Sequence, residues 1–109
     1  MARGINRGEI WRFQFSRPDK TRPVLVLTRQ EVIGLLSTVM VAPITSTIRG
    51  APSEVAVGVR EGLKHESAVN LDHVQTVDQA RLTGYVGSLT PERMREICRA
   101  LAIAAGCDG

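Results

Sequence analysis

The pattern of apolar and polar positions predicts a series of short β-strands. From Glu9 to Phe15 the sequence EIWRFQF places an aromatic residue at every second position from Trp11 onward, which is typical of a strand with one aromatic face. We expect this face to pack in the core or against a second subunit rather than to stack on bases. The apolar run at residues 24–28 predicts a buried second strand. Further strands are predicted at residues 39–44, 54–59, 68–71, 74–77 and 85–89.

A helix is predicted near the end of the chain. Thr90 and Pro91 match an N-cap residue followed by a proline at the first helical position. Cys98 falls on the apolar face of this helix and is therefore expected in the core. Residues 30–37 fit either a short helix or a loop. The apolar face of the terminal helix consists of Met94, Ile97, Cys98, Leu101 and Ala105.

Together these elements predict a mainly β fold with a C-terminal helix. Many short strands without crossover helices between them favour a small, partly open β-barrel over a βαβ sheet. A chain of 109 residues is expected to form one domain, residues 1–109, around a single modest core. Pro43, inside the predicted third strand, indicates an edge position or a bulge, because proline has no N–H to donate to a neighbouring strand.

The composition fits a soluble globular protein, with 43% hydrophobic and 23% charged residues. No apolar run approaches the ~20 residues that a membrane-spanning helix needs, and the first residues lack the apolar segment of a secretory signal. Cys98 and Cys107 lie close together near the C-terminus, so we expect free thiols in a reducing compartment. We therefore expect a cytoplasmic protein.

The net charge is +3, from 14 Lys and Arg against 11 Asp and Glu. The excess is small, but half of the basic residues fall within the first 29 positions, where only Glu9 and Asp19 are acidic. This placement suits a polyanion, because neutralising phosphates releases counterions. A solvated basic surface fits the same charge pattern equally well.

The sequence offers a narrow choice of chemistry. Its two histidines and two cysteines lack the spacing of paired metal ligands, and no P-loop or nucleophile elbow is present. Arg22 precedes Pro23, which favours an extended backbone and holds the arginine at the entrance of the second strand. The third strand ends at Thr45, the first of three hydroxyl residues.

If the second and third strands are neighbours, Arg22 and Thr45 could bind one phosphodiester and stabilise the charge that develops on it. In RNA the neighbouring 2′-OH would then be the nucleophile, and no metal would be needed. From chemistry alone, a solvated surface arginine beside loop hydroxyls that cap a turn remains the alternative.

Five blocks of the sequence, in order, resemble the motifs of PemK/MazF toxins: RGEIWRFQF, RPVLVLTR, VAPITST, VNLDHVQTVDQARL and GSLTPERMREICRAL. The resemblance covers residues 7–105, and the short loop between the first two strands resembles the actinobacterial and mycobacterial branch. It implies an SH3-like β-barrel, a homodimer and a cognate MazE-like antitoxin. The implied activity is that of an mRNA interferase, which cleaves single-stranded RNA at specific sequences without a metal or other cofactor and leaves a 2′,3′-cyclic phosphate and a 5′-hydroxyl.

The resemblance also implies the site residues. Arg22 and Thr45 match the catalytic arginine and threonine of the family. We expect Arg22 to stabilise charge, with proton donation to the leaving oxygen as an open alternative, and Thr45 to be a second phosphate donor. Contacts to RNA are expected from Arg17, Lys20, Ser46, Thr47, Arg49, Asn70, His73 and Gln75.

Two of these RNA-contact residues depart from the family pattern. His73 has the residue type of a general base, but many family members carry glutamine at this position. Recognition of a base or a phosphate is therefore expected of His73, and a strand-end histidine without a function fits equally. Gln75 stands where a basic residue is common.

A second class of function is a non-catalytic toxin of the same fold that binds a protein, as CcdB-like gyrase inhibitors do. The presence of both Arg22 and Thr45 argues against it, because a gyrase binder has no need of them. The C-terminal sequence AAGCDG also lacks a large anchor residue for such binding. A third alternative is an RNA-binding module with weak catalytic activity.

Overall fold

The computed structural model describes residues 4–14 and 21–107, which form a mostly antiparallel sheet and one long helix. The predicted fold class, mainly β with a C-terminal helix, is confirmed. Within those ranges, no helix is both long and apolar enough to cross a membrane. The strands are β1 Glu9–Gln14, β2 Thr21–Val26, β3 Thr38–Thr45, β4 Glu54–Val57, β5 Ser67–Asn70, β6 Gln75–Asp78 and β7 Leu82–Ser88. The helices are α1 Gln30–Ile33 and α2 Pro91–Ala105, with single 3-10 turns at Val59–Glu61, Leu71–His73 and Gln79–Arg81.

The strand order is β4-β5-β3-β2-β1-β7, and β6 pairs with the first half of β3. Among the described residues, β4 and β7 stand at the two ends of this order and do not pair with each other, so the sheet is not closed. Residues 30–37, which fitted a helix or a loop, form the single turn of α1 followed by a loop.

Pro43 lies in an interior strand, so the predicted edge position is wrong. On one side it pairs with Val24 of β2. On the other side, pairing with β6 ends at Val41 and pairing with β5 begins at Ile44. The proline therefore falls where β3 changes partners, and its missing N–H interrupts neither of these two ladders.

The aromatic face of β1 is in the core, as predicted for Trp11 and Phe13, which are 7% and 6% exposed. They pack with Val24 and Val26 of β2 in one of two apolar clusters. Phe15 lies outside the described residues. Burial of these rings also means that they are not available to stack on bases.

Helix α2 begins as predicted: the side-chain oxygen of Thr90 accepts a hydrogen bond from the Arg93 N–H at 3.2 Å. Its Met94 and Ile97 are buried against the second apolar cluster. The prediction that Cys98 is in the core is wrong, because its thiol is exposed. The buried face runs through residues 94, 97, 100, 101 and 104, and position 98 lies beside it.

Candidate active site

Strands β2 and β3 bring Arg22 and Thr45 to the same place. β2 begins at Thr21, so Arg22 is the second residue of the strand rather than a residue ahead of it. Val24 pairs with Pro43 in the antiparallel register of the two strands. Arg22 lies two residues before Val24, and Thr45 lies two residues after Pro43. Extending the antiparallel register therefore brings Arg22 level with Thr45, on the same faces as Val24 and Pro43. The expectation that these two strands are neighbours is confirmed.

Both side chains line one surface cleft of about 450 Å³. Its walls come from β1, β2, the end of β3, the loop at residues 62–65, β5 and β7. An open cleft of this size has room for a nucleotide-sized group. The lining residues are Arg12, Thr21, Arg22, Pro23, Ile44, Thr45, Ser46, Gly62, Leu63, Lys64, His65, Ser67 and Val86.

The cleft is cationic. Among the described residues, its charged lining consists of Arg12, Arg22 and Lys64, and it includes no aspartate or glutamate. The Arg22 side chain is exposed and has no hydrogen bond or ion pair to another described residue. Its planar fork of N–H donors is therefore available for an anion, and phosphate oxygens match that geometry.

The Thr45 side chain caps the turn that follows β3 and can still donate its hydroxyl proton. The Thr47 N–H donates to the Thr45 side-chain oxygen at 3.0 Å, which fixes the chain as it leaves β3. A hydroxyl accepts with its lone pairs and donates with its proton, so this bond leaves the Thr45 proton free. The turn-capping alternative for the hydroxyl cluster is thus observed, and it is compatible with phosphate binding.

Loop residues 62–65 line the same cleft as Arg22 and Thr45, and the sequence analysis did not predict this. Gly62 ends the 3-10 turn Val59–Glu61 in the left-handed region, with φ +97°, and its N–H donates to the Val59 carbonyl at 3.0 Å. The chain then turns into the cleft and places Lys64 and His65 along it. The left-handed glycine was the one available signal, and a positive φ cannot be read from a single glycine in a sequence.

Of the three predicted RNA-contact residues that follow β3, one lines the cleft and two do not. Ser46 lines it beside Thr45, whereas Thr47 and Arg49 lie outside it on the exposed chain that follows. The backbone N–H of Arg49 donates to the Glu54 carboxylate at 3.0 Å, which anchors this segment to the start of β4.

The cleft lining does not include the other three predicted RNA contacts, Asn70, His73 and Gln75. The Asn70 side-chain oxygen accepts from the Asp72 N–H at 2.9 Å, and its nitrogen lies 3.3 Å from His73 Nδ1. Gln75 is exposed on β6, opposite Val41 of β3. The structure therefore places His73 at the end of the 3-10 turn that Asn70 caps, while His65 is the histidine in the cleft.

Two further expectations concern the loop before β2 and metal binding. Arg17 and Lys20 fall outside the described residues. Within residues 4–14 and 21–107, no three His, Cys, Asp or Glu side chains are grouped so that they could hold a metal ion.

Comparison with known proteins places the chain in one family. Residues 6–105 match the family model of the PemK-like, MazF-like toxin of type II toxin–antitoxin systems. A probable endoribonuclease MazF5 of Mycobacterium tuberculosis is 43% identical over 102 residues, which is 93% of each chain. The solved structure of the M. tuberculosis toxin MazF-mt6 superimposes with a TM-score of 0.84 at 38% identity, over 93% of this chain and 99% of that one.

An endoribonuclease from a mycobacterial species, solved in complex with its cognate antitoxin, also has a TM-score of 0.84, at 29% identity over 94% of this chain and 96% of its own. The match to the family model and the identity to the M. tuberculosis relative both extend over nearly the whole chain. The chain therefore belongs to the PemK/MazF family of type II toxins.

Proposed function

We propose that this protein is the endoribonuclease toxin of a type II toxin–antitoxin pair and cleaves single-stranded RNA at the cleft that Arg22 and Thr45 line. One observation carries the proposal: a guanidinium without a partner among the described residues and a hydroxyl with a free proton stand on adjacent strands in a cationic cleft. The relatives named as endoribonucleases support the same activity. Cleavage of mRNA would inhibit translation and growth.

In the proposed reaction the RNA supplies its own nucleophile. The 2′-oxygen attacks the adjacent phosphorus, the bond from phosphorus to the 5′-oxygen breaks, and the products are a 2′,3′-cyclic phosphate and a 5′-hydroxyl. No water is consumed, so the protein needs only to orient the hydroxyl and stabilise charge. Arginine stays protonated in proteins, so Arg22 binds the phosphate oxygens as their negative charge grows. Thr45 donates a second hydrogen bond to the same phosphate.

The rest of the RNA would lie along polar and basic groups around the cleft. Arg12 and Lys64 are placed to neutralise backbone phosphates, and Ser46 offers a hydroxyl beside Thr45. Trp11 and Phe13 are buried and Tyr85 is the exposed aromatic side chain among the described residues, so base recognition would depend mainly on polar groups, with stacking available at Tyr85 alone. We include among the flanking contacts Arg17, Lys20, Thr47, Arg49, Asn70, His73 and Gln75.

The proposal includes the partners and the compartment that this activity requires. A related endoribonuclease was solved in complex with its cognate antitoxin, and we propose an antitoxin for this chain as well. An acidic segment that orders on binding would suit a cationic cleft and block access of RNA. We also propose a homodimer, and a cytoplasmic location, where the RNA substrate is found and the two cysteines stay reduced.

The proposal is tested with purified protein, a long single-stranded RNA and excess EDTA. Wild type is compared with Arg22→Ala and with Arg99→Ala, which removes an equally exposed arginine from α2, away from the cleft. We expect discrete fragments with 5′-hydroxyl and cyclic phosphate ends from wild type and Arg99→Ala. Arg22→Ala should leave the RNA intact while keeping its circular dichroism spectrum and its oligomeric state.

Intact RNA with all three proteins, across several RNAs and with folded protein, would contradict the proposal and favour a toxin that binds a protein target. Cleavage by Arg22→Ala at the wild-type rate would place the reaction elsewhere. Loss of folding in Arg22→Ala would indicate a structural arginine.

A further inference from the structure

We propose that His65 is the general base that accepts the proton of the attacking 2′-OH. The inference rests on the proposed endoribonuclease function and assigns the one role in that reaction that Arg22 and Thr45 leave open. It arises from the placement of the 62–65 loop, which brings His65 into the lining of the same cleft that Arg22 and Thr45 line.

The composition of the cleft selects His65. General bases in enzymes are most often histidine or a carboxylate. The described lining contains no carboxylate, and its arginines, Arg12 and Arg22, stay protonated. Lys64 is the remaining titratable group, and a lysine is cationic in its ordinary state. Imidazole is the side chain whose neutral form is well populated at neutral pH.

The other candidate bases near this loop face elsewhere. Glu66 follows His65 in the chain but lines a different hollow, beside Glu61 and Arg93 of the neighbouring elements. The second histidine of the chain, His73, lies with Asn70 outside the cleft. The groups that share the cleft lining with His65 are therefore cations, Arg12 of β1, Arg22 of β2 and the neighbouring Lys64, together with hydroxyl groups of β2, β3 and β5.

The local geometry favours the neutral tautomer of the imidazole that carries its proton on Nδ1. Nδ1 of His65 lies 3.4 Å from the backbone carbonyl oxygen of Glu66. A proton on Nδ1 can point to that oxygen, and the neutral ring then presents the Nε2 lone pair as the acceptor. His65 is exposed on its loop, so solvent can remove the proton after each turnover.

The proton balance of the step closes without another reactant. Nε2 takes the 2′-OH proton as the bond from the 2′-oxygen to phosphorus forms and the bond to the 5′-oxygen breaks. A water molecule protonates the leaving 5′-oxygen, and the hydroxide that remains takes the proton from the imidazolium. The enzyme returns to its starting state, and the RNA is converted into its two fragments.

The test measures kcat and KM against pH on a short RNA that contains one cleavage site. The proteins are wild type, His65→Gln, His65→Ala and, as the matched removal of the other imidazole, His73→Gln. We expect His65→Gln to lower kcat by about 100-fold or more with KM nearly unchanged, as for loss of a general base. The wild-type rate should fall at low pH as a base becomes protonated, and this fall should vanish in His65→Gln. In His73→Gln the fall should persist while KM rises, because His73 is a proposed RNA contact outside the cleft. Added imidazole should restore part of the rate of His65→Ala.

Three results would overturn the inference. If wild type cleaves and His65→Gln keeps the same kcat and the same fall at low pH, His65 is not the base, and the proposed function stands. If His65→Gln raises KM alone, the residue binds RNA without taking a proton. If wild-type protein cleaves no RNA, the proposed function fails and this inference fails with it.

Discussion

The backbones of Gly62 and Gly87 pack directly against each other, and neither position has space for a Cβ. A Cβ at Gly87 would overlap the carbonyl oxygen of Glu61, and one at Gly62 would overlap that of Val86. This contact holds the start of the 62–65 loop against β7, and residues from both the loop and β7 line the cleft. The positions of the loop side chains thus depend on two glycines that are remote from each other in sequence.

Gly87→Ala should displace the loop from β7. The new methyl group meets backbone atoms, which cannot rotate away as a side chain would. We expect a loss of about 1–3 kcal/mol in the free energy of unfolding, the usual range for overpacking. The kcat of RNA cleavage should fall by more than the loss of folded protein explains, because Lys64 and His65 move with the loop. Urea unfolding and kcat on the same RNA measure the two effects.

Gly34→Ala is the matched control. Gly34 follows α1 with φ −73°, and an added Cβ there has no atom within 4 Å. Alanine should therefore change the free energy of unfolding by less than about 1 kcal/mol and leave cleavage unchanged. If Gly87→Ala behaves like Gly34→Ala, the loop is not held by the glycine contact.

Local patterns were sufficient to predict much of the fold. Alternation located β1 and its buried aromatic residues, and the Thr90–Pro91 pair located the start of α2. Arg22 and Thr45 were expected to meet because antiparallel neighbours bring the start of one strand level with the end of the next. These features depend on a few consecutive residues or on one strand pairing.

The features that the sequence did not predict depend on contacts between distant segments. The 62–65 loop reaches the cleft only because Gly62 and Gly87 approach closely, and no local pattern encodes that approach. Of the two positions predicted for Pro43, an edge or a bulge, the edge is wrong because β3 divides its pairing between β5 and β6, an arrangement that requires the whole sheet. Cys98 sits at the boundary of the α2 apolar face, where spacing alone does not decide burial.

Thr45→Val should impair catalysis with little effect on folding. Valine keeps the shape of the side chain but removes the hydroxyl that would donate to the phosphate. We expect kcat to fall by about 100-fold, as when a single donor to developing charge is removed. Thr45 is only partly buried, so water can replace the hydroxyl as acceptor for the Thr47 N–H. Single-turnover cleavage at saturating protein measures the effect.

Thr45→Ser is the control for this prediction, since serine keeps both the donor and the turn-capping oxygen. It should cleave within about 10-fold of wild type, well above the valine variant. Equal losses in the serine and valine variants would show that the hydroxyl alone does not account for the role of Thr45, because serine keeps it. Unchanged kcat in both would remove Thr45 from the reaction.

Thr28→Val should lower stability through an unsatisfied backbone group. The Met40 N–H donates to the Thr28 side-chain oxygen at 2.7 Å, and Thr28 is 9% exposed. Valine fills the same space without an acceptor, so we expect a loss of about 1–3 kcal/mol in the free energy of unfolding. Thr28→Ser keeps the acceptor and should lose less. Chemical denaturation distinguishes the two, and equal losses would mean that packing of the methyl group contributes as much to stability as the hydrogen bond.

Arg12→Gln should weaken RNA binding without slowing the chemical step. Arg12 pairs with Gly84 of β7, and its side-chain stem lies over that glycine and continues into the cleft, where its charge would neutralise a backbone phosphate. Loss of one phosphate contact to a single strand should reduce the slope of log affinity against log salt by about 0.7. KM should therefore rise at low salt and approach the wild-type value at high salt, with kcat nearly unchanged.

The charge-matched control for Arg12→Gln is Arg99→Gln, which removes the same charge from the exposed surface of α2. KM and kcat are measured for both variants between low and high salt on one RNA. A shared small shift would reflect net charge alone, because long-range electrostatic attraction depends on the total charge of the protein. A change of salt slope confined to Arg12→Gln would mean that Arg12 contacts a phosphate. A fall in kcat at saturating RNA would instead place Arg12 in the chemical step and contradict the binding role.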